Sequence, residues 1–223
     1  MCFHNSISAK AQKLAARYGL KIDVVEIYKE IMEEYHVNVF SNPYYPVITN
    51  DPQIQVMKWG GLIPFWEKTE ADAEQIRKMT YNAKAETVFE KPSFRESVKS
   101  HRCIVPSTGY FEWHHNADKT KTPYFIFLKD EEIFSMAVIY DIWQNKETGE
   151  VLHTFSIITT EANPLTAQIH NAKKRMPAIL SKEDELKWID PKLTKEDITD
   201  LLKPFDASRM DAYQINNDFI KKI

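Results

Sequence analysis

Five short strand-like stretches in quick succession, Cys103–Val105, Gly109–Trp113, Tyr124–Leu128, Phe134–Tyr140 and Thr154–Thr159, constrain this 223-residue chain more than any other feature. Each is bounded by turn-forming or charged residues. Helical patterns collect towards the two ends of the chain. An Ala- and Lys-rich run from Ser8 to Tyr18 stops near Gly19, and Asp23 with Glu26 opens a second helix whose apolar face is Val24, Tyr28, Ile31, Met32 and Tyr35. Further helices are expected over Ser93–Ser100, from Ser181 with Asp184 through Trp188, and from Thr194 with Asp197 to a stop at Pro204. Strands in the middle and helices at the ends give an α+β fold with a largely antiparallel sheet. No repeat, low-complexity tract or Gly/Ser linker interrupts it, so a single domain over residues 1–223 is expected.

The remaining segments are less regular. Pro43, Pro46 and Pro52 exclude helix from residues 38–52 and leave a short strand at Val47–Thr49. Gln53–Trp59 alternates polar and apolar in strand period and runs into Gly60-Gly61. Thr69–Lys78 is charged and suits a surface helix or loop, and Asn163–Ile169 is a helical run.

A net charge of -3 and a pI near 6.2 argue against a protein that coats nucleic acid non-specifically, though a local basic groove remains open. Cys2 and Cys103 form neither a disulfide framework nor a zinc ligand set, which fits reduced thiols inside a cell. No leader pattern and no apolar run long enough to span a bilayer occur, so a cytoplasmic protein is expected.

Chemistry is first suggested at Cys2. With the initiator methionine removed, this residue carries an α-amine and a thiol on adjacent carbons. The amine, of ordinary pKa about 7.7–8.0, can condense with an aldehyde, and the thiol can close a five-membered thiazolidine on the imine carbon. No other residue type does both. Asn82, Glu112 and His170 stand out because apolar, small or aromatic residues surround them. Each also has an ordinary reading: a turn or cap for Asn82, the solvent face of an alternating strand for Glu112, a surface or structural imidazole for His170. Trp59 and Trp66 are either core or flat surfaces for unpaired bases.

The order of blocks along the chain is more specific than any one residue. Met-Cys at the start is followed by Trp-Gly-Gly-Leu-Ile-Pro-Phe-Trp at 59–66, Asn-Ala-Lys-Ala-Glu-Thr at 82–87 and Lys-Pro-Ser-Phe-Arg at 91–95. Arg-Cys-Ile-Val-Pro at 102–106, Gly-Tyr-Phe-Glu-Trp at 109–113, Thr-Thr-Glu-Ala-Asn-Pro-Leu at 159–165, Ile-His at 169–170 and Arg-Met-Pro-Ala-Ile-Leu at 175–180 complete the series. This pattern, from Met1 to about Asp190, resembles the SRAP family, the SOS-response-associated peptidases.

The resemblance implies a compact α+β domain around a barrel-like β core with peripheral helices, a groove for single-stranded DNA, and covalent capture of abasic sites as a thiazolidine through Cys2. It implies catalytic roles for Cys2, Asn82, Glu112 and His170. It also implies DNA contacts by His4, Lys84, Arg175 and Trp59 or Trp66. The partner would be single-stranded DNA containing abasic sites, with a monomeric protein and no membrane, metal or cofactor. A thiol peptidase with Cys2 as nucleophile and His170 as base is the alternative, and a non-covalent single-strand binder is a third. Against the family pattern, Phe3-His4 stands where Gly-Arg is common, Lys84 replaces an arginine, and Gly61 is an extra residue. Asn171–Lys174 lengthens the gap between His170 and Arg175, and the helical pair before residue 36 is longer than usual.

Overall fold

The structure, a computed structural model, describes residues 2–8, 11–20, 36–67 and 69–216. The helix expected over residues 23–35 lies outside them. The short N-terminal strand β1 (His4–Ser6) precedes α1 (Ala11–Tyr18), and β2 (Val37–Asn38), β3 (Tyr44–Val47) and β4 (Gln55–Trp59) lead to α2 (Glu70–Thr80) and β5 (Asn82–Lys84). After α3 (Ser97–Ser100) come β6 (Arg102–Ser107), β7 (Gly109–His115), β8 (Lys121–Leu128), β9 (Phe134–Gln144) and β10 (Val151–Glu161). The chain continues through α4 (Pro164–Ile169), β11 (Arg175–Pro177), β12 (Ile179–Leu180), α5 (Lys182–Trp188), α6 (Lys195–Leu201) and β13 (Met210–Gln214). Helices thus also fall between strands, and not only at the two ends.

The strands make two sheets. One has the order β13-β8-β7-β1-β2, entirely antiparallel, and the other is built on the β9–β10 hairpin. In that second sheet β12 and β6 pair with β9, while β4, β5 and β11 pair with β10. The fold is α+β with a largely antiparallel core; β4 and β5 lie parallel to β10 and are the exceptions. The first sheet runs open from β13 to β2, whereas in the second the residue just after β3, Ile48, exchanges two backbone hydrogen bonds with Ile104 of β6 (2.9 and 2.8 Å) and so links the β3 edge back towards β9. The core is therefore the barrel-like arrangement expected, built from two sheets without being a fully closed barrel.

Side-chain alternation explains why the centre of the second sheet is buried on both faces. Cys103 and Val105, Met136 and Val138, and Phe155 and Ile157 point into a core shared with Tyr110 and Ile126 of the first sheet. Ile104, Ala137, Ile139 and Ile158 point the other way, onto Val98, Trp188, Ile198 and Leu202 from the helices. All six residues of β6 are buried as a result. Arg102 at its start is buried too, and its guanidinium donates to the carbonyls of Val98 (2.8 Å), Lys99 (2.5 Å), Trp188 (2.8 Å) and Asp190. These carbonyls lie at the C-terminal ends of α3 and α5, where the last turn has no intrahelical donors to offer.

The β4 edge changes hands at Gly60-Gly61. β4 pairs with β10 at Thr154 and Phe155, the chain leaves for α2, and β5 returns to the same edge at Ile157–Thr159. Gly61, at φ +76, donates its N–H to the Phe155 carbonyl, and a Cβ there would lie 2.6 Å from the Arg77 carbonyl oxygen. The extra residue of the tryptophan motif is thus one that only glycine fills without strain. Pro46 sits in β3 because that strand is at the sheet's edge, where a missing donor leaves no ladder bond unmade.

Candidate active site

β1 carries no strand signature of its own, yet it lies between β7 and β2, with Asn5 opposite Tyr110 and Val37. A buried polar network fixes it. The Asn5 amide donates to the Tyr45 hydroxyl (2.7 Å) and its oxygen accepts from Ser107 Oγ (2.6 Å), while Tyr45 donates on to the Pro106 carbonyl (3.1 Å). Val39 N–H donates to the Phe3 carbonyl (3.0 Å). These bonds bring Cys2 to the shared core, where it has no exposed surface. Burial pushes its thiol well above the ordinary cysteine range, and the Glu112 carboxylate raises it further.

Glu112 comes from the middle of β7, on the strand next to β1, opposite Tyr124 of β8. It is buried, so the solvent-face reading of the Phe-Glu-Trp alternation does not hold. Burial raises its carboxyl from 4.5 to about 7, which lets it both give and take a proton near neutrality. His170 caps the C-terminal end of α4. That helix is set by Asn163, whose side chain accepts from Thr166 N–H (2.9 Å) and donates to the Phe205 carbonyl (2.8 Å), with Pro164 in the first turn. The imidazole Nδ1–H donates to the Arg175 carbonyl (2.8 Å), since a carbonyl can only accept; the lone pair of the neutral ring is then on Nε2. Nδ1 is also 3.7 Å from Glu112 Oε1. Burial lowers the His170 pKa to about 4, so this histidine is neutral where Glu112 titrates.

Asn82 opens β5. The preceding Tyr81 has its ring 6.4 Å from that of Phe3, which brings this strand beside the N-terminal segment. Both polar atoms of the Asn82 side chain are buried and lack a hydrogen-bond partner among the described residues. An amide left so is costly unless a further group completes it. Glu112, His170, Phe3 and His4 line a cavity of about 370 Å³ together with Trp113, His115, Lys121, Ala172 and Lys173.

The expected DNA contacts divide. Trp66 (41% exposed) and its neighbour Phe65 (77%) form an edge-to-face pair at the tip of the loop after β4, and the base of that loop is held by the Trp143 indole donating to the Glu67 carbonyl (2.8 Å). Trp59 is 1% exposed and stacked on Phe155 in the core, so neither of its faces is open to a base. Lys84 is exposed on β5. Arg175 is already engaged: it donates twice to Glu86 (2.6 and 2.9 Å) and once to the Thr159 carbonyl (2.6 Å). It ties the 82–87 motif to β10 and β11, and its Nε is buried with no hydrogen-bond partner among the described residues. His4 stacks on His36, and the two rings share a 2.8 Å hydrogen bond. Burial and this neighbour lower the His4 pKa to about 4, so it lines the cavity as a neutral ring and is no phosphate-binding cation at physiological pH.

Several contributors were not singled out from sequence. Asn5, His36, Trp113 and Lys121 sit in ordinary-looking surroundings along the chain, and only the pairing of β1 with β7 and β2, and of β7 with β8, gathers them. Phe40, 58% exposed, packs on Phe3 and Tyr81 from a 3-10 turn capped by Asn38. Among the described residues no group of three or more His, Cys, Asp or Glu is placed to hold a metal ion, and no helix is long and apolar enough to cross a membrane.

Comparison with known proteins gives a consistent picture. The family model described as SOS response associated peptidase (SRAP) matches residues 1–221. The abasic site processing protein YoqW of Bacillus subtilis is 40% identical over 190 residues, covering 82% of this chain and 81% of its own length. The abasic site processing protein HMCES of Pongo abelii is 32% identical over 179 residues, covering 68% of this chain and 49% of that protein. A crystal structure of a protein from Bacteroides thetaiotaomicron superposes with a TM-score of 0.96 at 62% identity, covering 100% of this chain and 95% of that one. A second, from Bordetella bronchiseptica, shares the fold at a TM-score of 0.79 and 22% identity. This chain belongs to the SRAP family.

Proposed function

We propose that the protein captures abasic sites in single-stranded DNA covalently, through the amine and thiol of Cys2, and so shields the lesion as a thiazolidine crosslink. The observation that carries the reading is the buried Cys2 electrostatically coupled to a glutamate whose carboxyl is held at about 7 on the wall of a cavity. The relatives YoqW and HMCES, both named as abasic site processing proteins, support the substrate.

The chemistry follows from those residues. A ring-opened abasic sugar presents an aldehyde. With Met1 removed, the Cys2 amine adds to its carbon, and the two amine protons leave with the carbonyl oxygen as water. The thiol then adds across the imine, sulfur to carbon and hydrogen to nitrogen, so one water is lost overall. Glu112, half-ionised near neutrality, delivers the proton that opens the sugar and lets water depart, and it accepts the thiol proton for return to nitrogen. His170, neutral with its Nδ1–H fixed on a backbone carbonyl, offers Nε2 as an acceptor for the sugar hydroxyl. Asn82 supplies the amide oxygen and N–H that would hold the Cys2 amine and the hemiaminal.

A thiol peptidase requires a thiolate at rest, which means a lowered pKa. Burial and Glu112 drive the Cys2 thiol the other way. Amine-first chemistry tolerates a protonated thiol, which favours the crosslinking reading. The test is a denaturing gel after mixing processed protein with an abasic single-stranded oligonucleotide. Wild type is expected to give a shifted band, Cys2→Ala none, and neither a band on intact DNA. No band from wild type, while a simple amine traps the same oligonucleotide, overturns the proposal.

A further inference from the structure

We propose that Lys121 and Lys173 form the phosphate clamp of the cavity, and that the Asn171 side chain is the positioning group that holds Lys173 at its wall. This rests on the abasic-site reading above, and it names which groups take the phosphodiesters flanking the lesion.

The cavity needs a cation for a sugar-phosphate ligand; of the cations expected to contact DNA, Lys84 is exposed on β5 but is not part of the cavity lining, and the other two are spoken for. Arg175 is committed to Glu86 and the Thr159 carbonyl, and His4 is neutral. Lys121 and Lys173 line the cavity and are exposed enough to meet a phosphate. They reach it from two different elements that converge on one residue. Lys121, the first residue of β8, is the cross-strand partner of His115 at the end of β7. From the other edge of β7, the Asn171 side chain clasps the same residue: its oxygen accepts from His115 N–H (3.0 Å) and its amide donates to the His115 carbonyl (3.0 Å). An Asn side chain used in this way replaces a strand residue, satisfying the two backbone groups that point away from β8.

The rest of the turn is equally determined. His114 Nδ1–H donates to the Gln168 carbonyl (2.9 Å), Lys174 N–H donates to the His170 carbonyl (2.8 Å), and Ala162 N–H donates to the Lys174 carbonyl (3.0 Å). Lys174 closes the turn with φ 49. The residues that lengthen the gap between His170 and Arg175 are therefore a stapled turn that carries Lys173 to the wall shared by Glu112 and His170. Both of those groups feel its charge, which lowers the pKa of each by a small amount beside burial and the backbone hydrogen bonds of Trp113 and Arg175. A lysine ammonium binds phosphate as a point charge, so it needs no fork geometry, and two of them across one mouth suit two successive phosphodiesters.

The experiment uses the full-length protein and a single-stranded oligonucleotide with a tetrahydrofuran abasic analogue, which has no aldehyde and binds reversibly. Affinity is measured against salt. For single strands each neutralised phosphate contributes about 0.7 to the slope of log K against log salt. Lys121→Gln and Lys173→Gln are each expected to flatten the slope by about that amount. Asn171→Ala should match Lys173→Gln, with no additional loss when the two are combined. A neutral methylphosphonate beside the lesion should weaken wild type several-fold and leave the double lysine variant unchanged. Lys173→Gln should also move the pH midpoint of crosslinking upward, because Glu112 loses a nearby cation. Slopes for both lysine variants equal to wild type overturn the clamp. Wild-type crosslinking to a true abasic oligonucleotide, run in parallel, reports on the underlying reading separately.

Discussion

Replacing Glu112 with glutamine removes a buried carboxyl while keeping its shape, and the effect on stability can be worked out with its sign. The folded-state pKa is raised from 4.5 to about 7, chiefly by burial. A raised carboxyl pKa means the native state holds the proton more tightly than the unfolded chain. Its stabilising contribution is then fully present below about pH 4.5 and is lost as pH rises through about 7. A difference of roughly 2.5 units, at about 1.4 kcal/mol each, gives roughly 3 kcal/mol. The amide has no such dependence. The stability of Glu112→Gln relative to wild type is therefore expected to rise between pH 5 and pH 8.5 by roughly 3 kcal/mol, on top of any constant offset from changed hydrogen bonds. His170 titrates in both proteins and largely cancels in the difference. Urea unfolding at a series of pH values reads this directly. The same variant should crosslink abasic DNA roughly 10²–10⁴-fold more slowly, the usual loss for an acid–base group. A stability difference flat across that pH range would refute the claim that burial holds this carboxyl near neutrality.

The two tryptophans of the 59–66 motif should separate cleanly. Trp66→Ala is expected to weaken single-strand binding by about 1–3 kcal/mol with little change in the urea midpoint, whereas Trp59→Ala should destabilise the fold by about 3–5 kcal/mol; the reverse pattern contradicts the burial of Trp59. Gly61→Ala should destabilise the protein by at least about 1–3 kcal/mol, from a left-handed φ combined with a clash against the Arg77 carbonyl, and an unchanged unfolding midpoint refutes this. Arg175→Ala should lower stability and leave the salt slope of DNA binding unchanged, since its guanidinium is occupied by Glu86 and Thr159; a flattened slope would return it to the groove.

The β6–β10 strands were legible because each is a short run bounded by turn-forming or charged residues, and the structure only lengthens them: Thr154–Thr159 becomes Val151–Glu161 once the hairpin with Phe134–Gln144 is formed. Capping chemistry was equally plain at Thr194, where the side chain and Asp197 satisfy each other's backbone donors. What the sequence did not disclose is the sheet position of weakly patterned segments. His4-Asn5-Ser6 becomes a strand because β7 and β2 offer it two edges and Asn5 finds buried partners, which is a tertiary effect. Met210–Gln214 joins β8 for the same kind of reason. At the site, Glu112 and His170 were visible as polar residues in apolar company. Residue type alone does not tell an aromatic in the core, as Trp59 is, from one at a groove, nor a paired guanidinium, as that of Arg175 is, from one that awaits a ligand.

If the amine and thiol of Cys2 both bond to the abasic carbon, the intact mass of the adduct records it. Protein lacking Met1 is incubated with an abasic single-stranded oligonucleotide without any reductant, denatured and weighed. The expected species has the sum of the two masses less one water, is stable to denaturation, and is absent for Cys2→Ser without borohydride. A wild-type adduct that appears only after borohydride reduction, or none at all, would contradict thiazolidine formation.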